Sequence, residues 1–405
     1  MLIRKVLKEN LIAEGVSITV GVIAGLGLAS IIARFTEISG LMILLPMLLG
    51  MSNDIDGAVA AKIGSALHLG VIDVKLRYSK DLFNIIFTAF LLSVLEAVSA
   101  GILTFALSRI SGFASAELST LVGIALFTGF VSKIISIPTT AIVAVLLFGR
   151  GIDPDSVMGP ILTSYGDVLT IGTLYLATLL TQNPYFFIIV FGIVGFFFLI
   201  FSSLHRILWS AKDVEERKPF YTISRMFRES APTLLIPMIA TAPAGLVLSN
   251  FEETLVLMPT LLILLPPLND LAGDFGCVIA SRLSTALYLG RIQPWFKGIS
   301  ELKNEFITIL VTGMISSIYL GVTCHFSALI LGFESIGITV LVILSLITTT
   351  MLIVFEFIIG TIVGLISFSK GLDPDNITIP IVTDLGDTGG IIFLMYFSLI
   401  IGVLK

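Results

Sequence analysis

Residues 46–70 read PMLLGMSNDIDGAVAAKIGSALHLG, and residues 266–290 read PPLNDLAGDFGCVIASRLSTALYLG. Pro46, Leu48, Asp54, Ala60, Ala66, Leu67, Leu69 and Gly70 recur without a gap at an offset of 220 residues, and Lys62 becomes Arg282. The same offset aligns GIDPDSVMGPILTSYGD, residues 151–167, with GLDPDNITIPIVTDLGD, residues 371–387. Here Asp153, Pro154, Asp155, Pro160, Thr163, Gly166 and Asp167 recur. Two distant motifs in one register define an internal repeat, and each motif carries aspartates inside otherwise apolar sequence.

The surroundings of these motifs are a bilayer. Of 405 residues, 56% are hydrophobic and 13% charged, against about 25% charged in soluble domains. Mean hydropathy is +1.07. A spanning helix needs roughly 20 apolar residues. Eleven stretches meet that length, at 11–35, 40–70, 82–108, 118–148, 157–180, 185–209, 231–250, 255–290, 306–331, 336–368 and 377–404. The longer ones must tilt or kink, with Pro46, Pro138 and Pro266 as kink points. The first span is too long for a cleavable signal peptide.

The expected fold is an all-α polytopic membrane protein of two parallel five-helix repeats. Residues 1–184 form the first, residues 185–209 an extra connecting helix, residues 210–230 a polar cytoplasmic linker, and residues 231–405 the second. Five spans is an odd number, so direct fusion would invert the second copy. The unmatched sixth span restores its orientation, and the halves are then related by a pseudo-twofold axis along the membrane normal. Charge agrees. Seventeen Lys and Arg lie in the N-terminal tail and the loops after even-numbered spans, and three (Arg34, Arg109 and Lys405) lie opposite. The positive-inside rule puts the N-terminus in the cytoplasm of a multi-pass cell-membrane protein and the C-terminus outside.

Other classes are disfavoured. A net charge of −5 is not that of a nucleic-acid binder. Two cysteines and three dispersed histidines exclude a disulfide framework and a cysteine- or histidine-based metal centre. No cofactor is expected.

Ionisable groups within a bilayer are costly and mark function. Asp54, Asp56, Glu96, Asp167, Asp270, Asp274, Glu356, Asp384 and Asp387 fall within the expected spans. Two pairs obey the repeat, Asp54 with Asp274 and Asp167 with Asp387. Thr163 precedes Asp167 by one helical turn, as Thr383 precedes Asp387, so each shares a helix face with its aspartate. Carboxylates, hydroxyls and carbonyls form a hard-oxygen set suited to Mg²⁺ or Ca²⁺. The polar segments 50–57 and 273–276, which include Asn53, are candidates to unwind and offer carbonyls to a cation. Asn53, Asn269, Asp56, Asp270 and Asp384 are additional pore candidates. Glu96, Lys133 and Glu356 face Ser316, Ile353 and Ser136 in the repeat alignment. They break the symmetry and are candidates for ion coupling, or Lys133 and Glu356 form a buried pair. Lys62 and Arg282 snorkel or pair with Asp54 and Asp274.

At these motifs the chain resembles the MgtE magnesium-channel family and the related solute carrier family 41 of animal Mg²⁺ transporters. Pro46, Asn53-Asp54 and Lys62, with Pro266, Gly273-Asp274 and Ser281-Arg282, are similar to the family's first motif. Pro160, Thr163 and Asp167, with Pro380, Thr383 and Asp387, are similar to its second. The resemblance implies a five-helix unit used twice, with a pore between units and Asp167 and Asp387 binding a largely hydrated Mg²⁺. It implies one chain acting as a pseudo-dimer in a lipid bilayer. Asp54 and Asp274 stand where the family has asparagine, and the family's cytoplasmic sensor domains have no counterpart. The function expected is transmembrane transport of divalent cations, most of all Mg²⁺, as a channel or as an exchanger coupled to Na⁺ or H⁺. An intramembrane aspartyl protease is a remote alternative, resting on Tyr165-Gly166-Asp167 and Leu385-Gly386-Asp387. An organic-anion transporter would need more cationic groups in the spans than Lys62, Lys133 and Arg282.

Overall fold

The computed structural model describes residues 2–73, 79–150, 154–210, 219–292, 302–371 and 374–404. Among these residues the protein is helical, with turns between helices. The elements are α1 Leu2–Glu37, α2 Leu41–His68, α3 Lys80–Ser111, α4 Leu118–Gly149, α5 Pro154–Leu180 and α6 Phe186–Ser210. They continue with α7 Ile223–Asn250, the short α8 Glu252–Leu257, α9 Pro259–Tyr288, α10 Lys303–Ile330, α11 Ile338–Ser369 and α12 Pro374–Ile400. Nine of the described helices are long and apolar enough to cross a membrane. Helices α5 and α12 are of similar length and carry the threonines and aspartates of the second motif.

Three expectations are corrected. Residues 50–57 and 273–276 do not unwind: α2 and α9 run through them. An intact helix satisfies its own amides, which is the cheaper solution in a membrane. The seventh helix begins at Ile223, so it takes up part of the polar segment expected to be linker. Lys133 has its ion pair within its own unit, with Asp56, as the site geometry below shows.

The chain divides into two compact units, Met1–Gly50 with Pro237–Lys405, and Met51–Ile236. These cut across the sequence repeats, and the first unit shows why. Within it α1 packs along α9, the second helix of the second repeat. At their crossing Gly25 lies against the backbone of Ile263, with no room for a Cβ. Gly245 of α7 lies in the same way against the backbone of Ile43 in α2. These positions are related by the 220-residue offset. The first helix of each repeat therefore packs on the second helix of the other copy.

The repeat holds elsewhere in detail. A Cβ at Gly101 would meet Val122 Cα at 2.6 Å, and one at Gly321 would meet Val342 Cα at 2.6 Å. Helix ends match too: Gly70 and Gly290 have φ of 66° and 67°, and Gly112 and Gly332 have φ of 76° and 78°. Helix α6, which has no repeat counterpart, has only 6% of its apolar window buried. It is held to the second unit by phenylalanines, with Phe197 against Phe90 at 4.5 Å and Phe201 stacked on Phe83 at 4.9 Å.

Close crossings predict a position-specific sensitivity. Gly25→Leu is expected to cost about 1–3 kcal/mol by forcing α1 off α9. Gly192→Leu, on α6 with nothing within 4 Å, should be near neutral. Thermal unfolding of the two purified variants checks this, and equal losses would contradict the crossing.

Candidate cation-binding site

The second unit carries the first repeat's acidic motif on α2, α3, α4 and α5. Lys133 of α4 is fully buried and donates to the Ser52 carbonyl at 2.8 Å, to Ser52 Oγ at 3.0 Å and to Asp56 Oδ2 at 2.7 Å. Ser136 Oγ donates to the other carboxylate oxygen of Asp56 at 2.8 Å. Asp56 thus already has its counter-charge. Helix α5 packs tightly here, since a Cβ at Gly166 would lie 2.7 Å from Ser52 Oγ. Gly166 is followed by Asp167, which is buried, and Thr163 is half-buried one turn earlier. Asp54 is half-buried on α2. It interacts electrostatically with Lys133 and with Glu96, a fully buried residue of α3. Neither carboxylate oxygen of Glu96 has a hydrogen-bond partner, and Asn53 Oδ1 also lacks one.

The first unit carries the second repeat's motif on α9, α11 and α12, and its charges are arranged differently. The 220-residue offset takes Ser52, Asp56, Lys133 and Ser136 to Ala272, Gly276, Ile353 and Glu356. The carboxylate has moved from the second helix to the fourth, and the ammonium has been replaced by an alkyl chain. Gly276 lies beside Glu356, where a Cβ would be in ordinary contact with Glu356 Cδ at 3.7 Å and would crowd Val382 Cγ1 at 2.8 Å. The Glu356 carboxylate also fills the space beside Gly386, where a Cβ would meet Oε1, so it takes the same place beside the fifth helix that Asp56 takes in the first repeat. Glu356 is fully buried and neither of its oxygens has a partner. Asp387 follows Gly386 and is buried, and it interacts electrostatically with Glu356, as does Asp274.

The remaining expected residues also lie in this unit. Asp274 and Asp270 are buried one turn apart on α9. A Cβ at Gly21 of α1 would fall 2.9 Å from Asp270 Oδ2. Asp384 is buried on α12, facing Gly50 at 3.9 Å by the same measure. Thr383 is half-buried and donates to the Ile379 carbonyl at 3.0 Å. Asn269 is buried beside Gly390, and its Oδ1 has no partner. Lys62 and Arg282 do not neutralise the motif aspartates. Lys62 donates to Ser230 at 3.1 Å, and Arg282, half-exposed, lies 4.0 Å from Glu305.

One residue escaped the sequence reading. Glu14 of α1 is buried, interacts electrostatically with Asp270 and Asp274, and leaves Oε2 without a partner. Its signal was available, since a carboxylate within the apolar run 11–35 is as costly as any other. Its repeat counterpart is Leu234, so a search for matched pairs passes over it.

Buried carboxylates on apolar helices, with hydroxyl and amide oxygens around them and few cations, form a hard-oxygen environment inside a polytopic membrane protein. The comparisons with known proteins specify the family. The sequence model of MgtE, described as a divalent cation transporter, matches residues 45–177 and 265–397, both copies of the repeat. The chain belongs to the MgtE family of divalent cation transporters. It is similar to solute carrier family 41 member 2 of Gallus gallus, 24% identical over 393 residues, and to that of Homo sapiens, 24% identical over 389 residues. Both alignments cover 88% of this chain and 63% of the relative, so the chain spans less than two thirds of those proteins. Solute carrier family 41 member 3 of Rattus norvegicus is 22% identical over 390 residues, covering 88% of this chain and 78% of that protein. No solved structure matches. The family is described as one of divalent cation transporters, so the protease reading is not taken further.

The asymmetry of the two half-motifs predicts an energetic asymmetry. Lys133→Met strands a buried Asp56 carboxylate and is expected to cost about 3–5 kcal/mol. Removing both partners, in Lys133→Met with Asp56→Leu, should recover most of that loss. A double variant no more stable than the single one in thermal unfolding would contradict the ion pair's role.

Proposed function

We propose that this chain carries Mg²⁺ across the membrane along a path lined by the repeat-related carboxylates Asp167, Asp387, Asp54 and Asp274, with Thr163 and Thr383 beside the first pair. The observation that carries this reading is the recurrence of a buried aspartate, Asp167 and Asp387, after the same Pro-x-x-Thr-x-x-Gly pattern in both copies of the MgtE repeat. The donors are hard oxygens, which favour Mg²⁺ and Ca²⁺ over thiophilic metals. Among the described residues no three acidic, histidine or cysteine side chains converge tightly enough to hold a bare metal ion. That arrangement suits an ion that keeps most of its water, as Mg²⁺ does. The chain acts as its own pseudo-dimer, with its N-terminus in the cytoplasm by the positive-inside bias. Asp56 is a structural member of this array, held by Lys133. Asn53, Asn269, Asp270, Asp384 and Glu96 shape the field around it.

A coupled cycle is favoured over simple channel flux by one observation. Glu356 is a buried carboxylate without a hydrogen-bond partner, at the place where the first repeat's carboxylate, Asp56, is met by the Lys133 ammonium. A second cation, Na⁺ or H⁺, that compensates Glu356 during turnover would couple the two fluxes.

Asp167→Asn with Asp387→Asn is expected to abolish Mg²⁺ flux into liposomes while leaving a folded, monodisperse protein. Unchanged flux would remove these aspartates from the path. In the wild type an imposed Na⁺ or pH gradient should alter Mg²⁺ flux, and Glu356→Gln should make it indifferent to the gradient. Wild-type flux indifferent to both gradients would leave a channel.

A further inference from the structure

Helix α3 is built inside out. Its inward face buries Ser93, Glu96, Ala97 and Ala100, while Leu91, Val94, Leu95 and Val98 form a half-exposed aliphatic stripe on the opposite face. The spacing of those four residues is one helical stripe. The start of α7 lies beside it. The Tyr221 amide donates to Asp81 Oδ1 at 2.7 Å, and Asn84 Nδ2 donates to the Tyr221 carbonyl at 2.8 Å, tying the entry of α7 to the first turns of α3. Between the two helices lies an open groove of about 570 Å³, lined by the aliphatic stripe together with Phe227 and Arg228. That size falls within the roughly 300–1,000 Å³ typical of ligand sites.

The chemistry of the groove is mixed in a specific way. Its floor is aliphatic and aromatic, and its one charged lining residue is a guanidinium. Arg225, one turn earlier, is already paired with Glu229 at 2.8 Å. Arg228 is exposed and has no ion pair among the described residues. An exposed guanidinium at the edge of an apolar groove is an anion site, since it binds phosphate oxygens in a bidentate manner. An apolar trough of two helical turns ending on a free cation fits one class of ligand, an anionic amphiphile with an alkyl chain.

We propose that this groove binds an anionic glycerophospholipid, with one acyl chain along Leu91, Val94, Leu95 and Val98 and the headgroup phosphate on Arg228. The bilayer supplies the ligand, and the charge selects it. The lipid fixes the start of α7 against α3 and so buttresses the helix that carries Glu96. The site is independent of which ion the chain transports.

The test is native mass spectrometry of the full chain released from mixed micelles of phosphatidylglycerol and phosphatidylcholine with matched acyl chains. The wild type is expected to retain phosphatidylglycerol about fivefold over phosphatidylcholine, near the worth of one basic residue at an anionic surface. Arg228→Gln should bring that preference close to one, and Arg225→Gln should leave it. Val94→Trp, which fills the groove without touching the charge, should reduce retention of both lipids. Equal retention of the two lipids by the wild type would overturn the proposal. So would a preference unchanged by Arg228→Gln, or lipid retention unchanged by Val94→Trp.

Discussion

A carboxylate buried in a bilayer must be matched by positive charge or neutralised by a proton. This protein meets that constraint in two ways at corresponding places in its two repeats. In the first repeat the charge is covalently supplied: Lys133 reaches Asp56 and Ser52, and Ser136 completes the carboxylate. In the second, Ile353 replaces the lysine and Glu356 replaces the serine, so the carboxylate stays and its cation does not. Breaking a buried pair costs several kcal/mol, whereas a buried carboxylate with no built-in partner is neutral unless a cation reaches it. The duplicated chain thereby has one locked half-motif and one open one.

The fold serves this by keeping helices close where the carboxylates sit. Gly166 and Gly386 bring the fifth helix of each repeat directly against the Asp56 and Glu356 carboxylates, immediately before Asp167 and Asp387. Gly25 and Gly245 allow the first helix of each repeat to cross the second helix of the other copy. Small residues are the means of close packing in membranes, where no hydrophobic force draws helices together. The two copies are therefore interlocked through their first helices, and the compact units do not coincide with the repeats.

Much of this was legible in the chain. Apolar runs located the long helices, and the 220-residue register located both motifs and four aspartates, of which Asp167, Asp274 and Asp387 are buried. The partner of Lys133 was not legible, because Asp56 lies 77 residues away on another helix and hydropathy says nothing about which helices touch. Symmetry was also a biased guide. It singled out matched aspartates and passed over Glu14, whose counterpart is Leu234. The expectation of unwound backbone failed for a related reason: polar side chains in residues 50–57 are met by other helices, so the backbone of α2 has no need to open.

The central claim is that the repeated carboxylates bind a divalent cation in the folded protein. Ligand binding to the native state raises apparent stability by mass action. The direct measurement is the unfolding temperature of the detergent-solubilised chain across a Mg²⁺ series at constant ionic strength, with Na⁺ as the reference ion. The account requires a rise that grows with the logarithm of Mg²⁺ concentration, exceeds that with Na⁺, and is lost in Asp387→Asn. A flat series, or a rise that the variant retains in full, would contradict it.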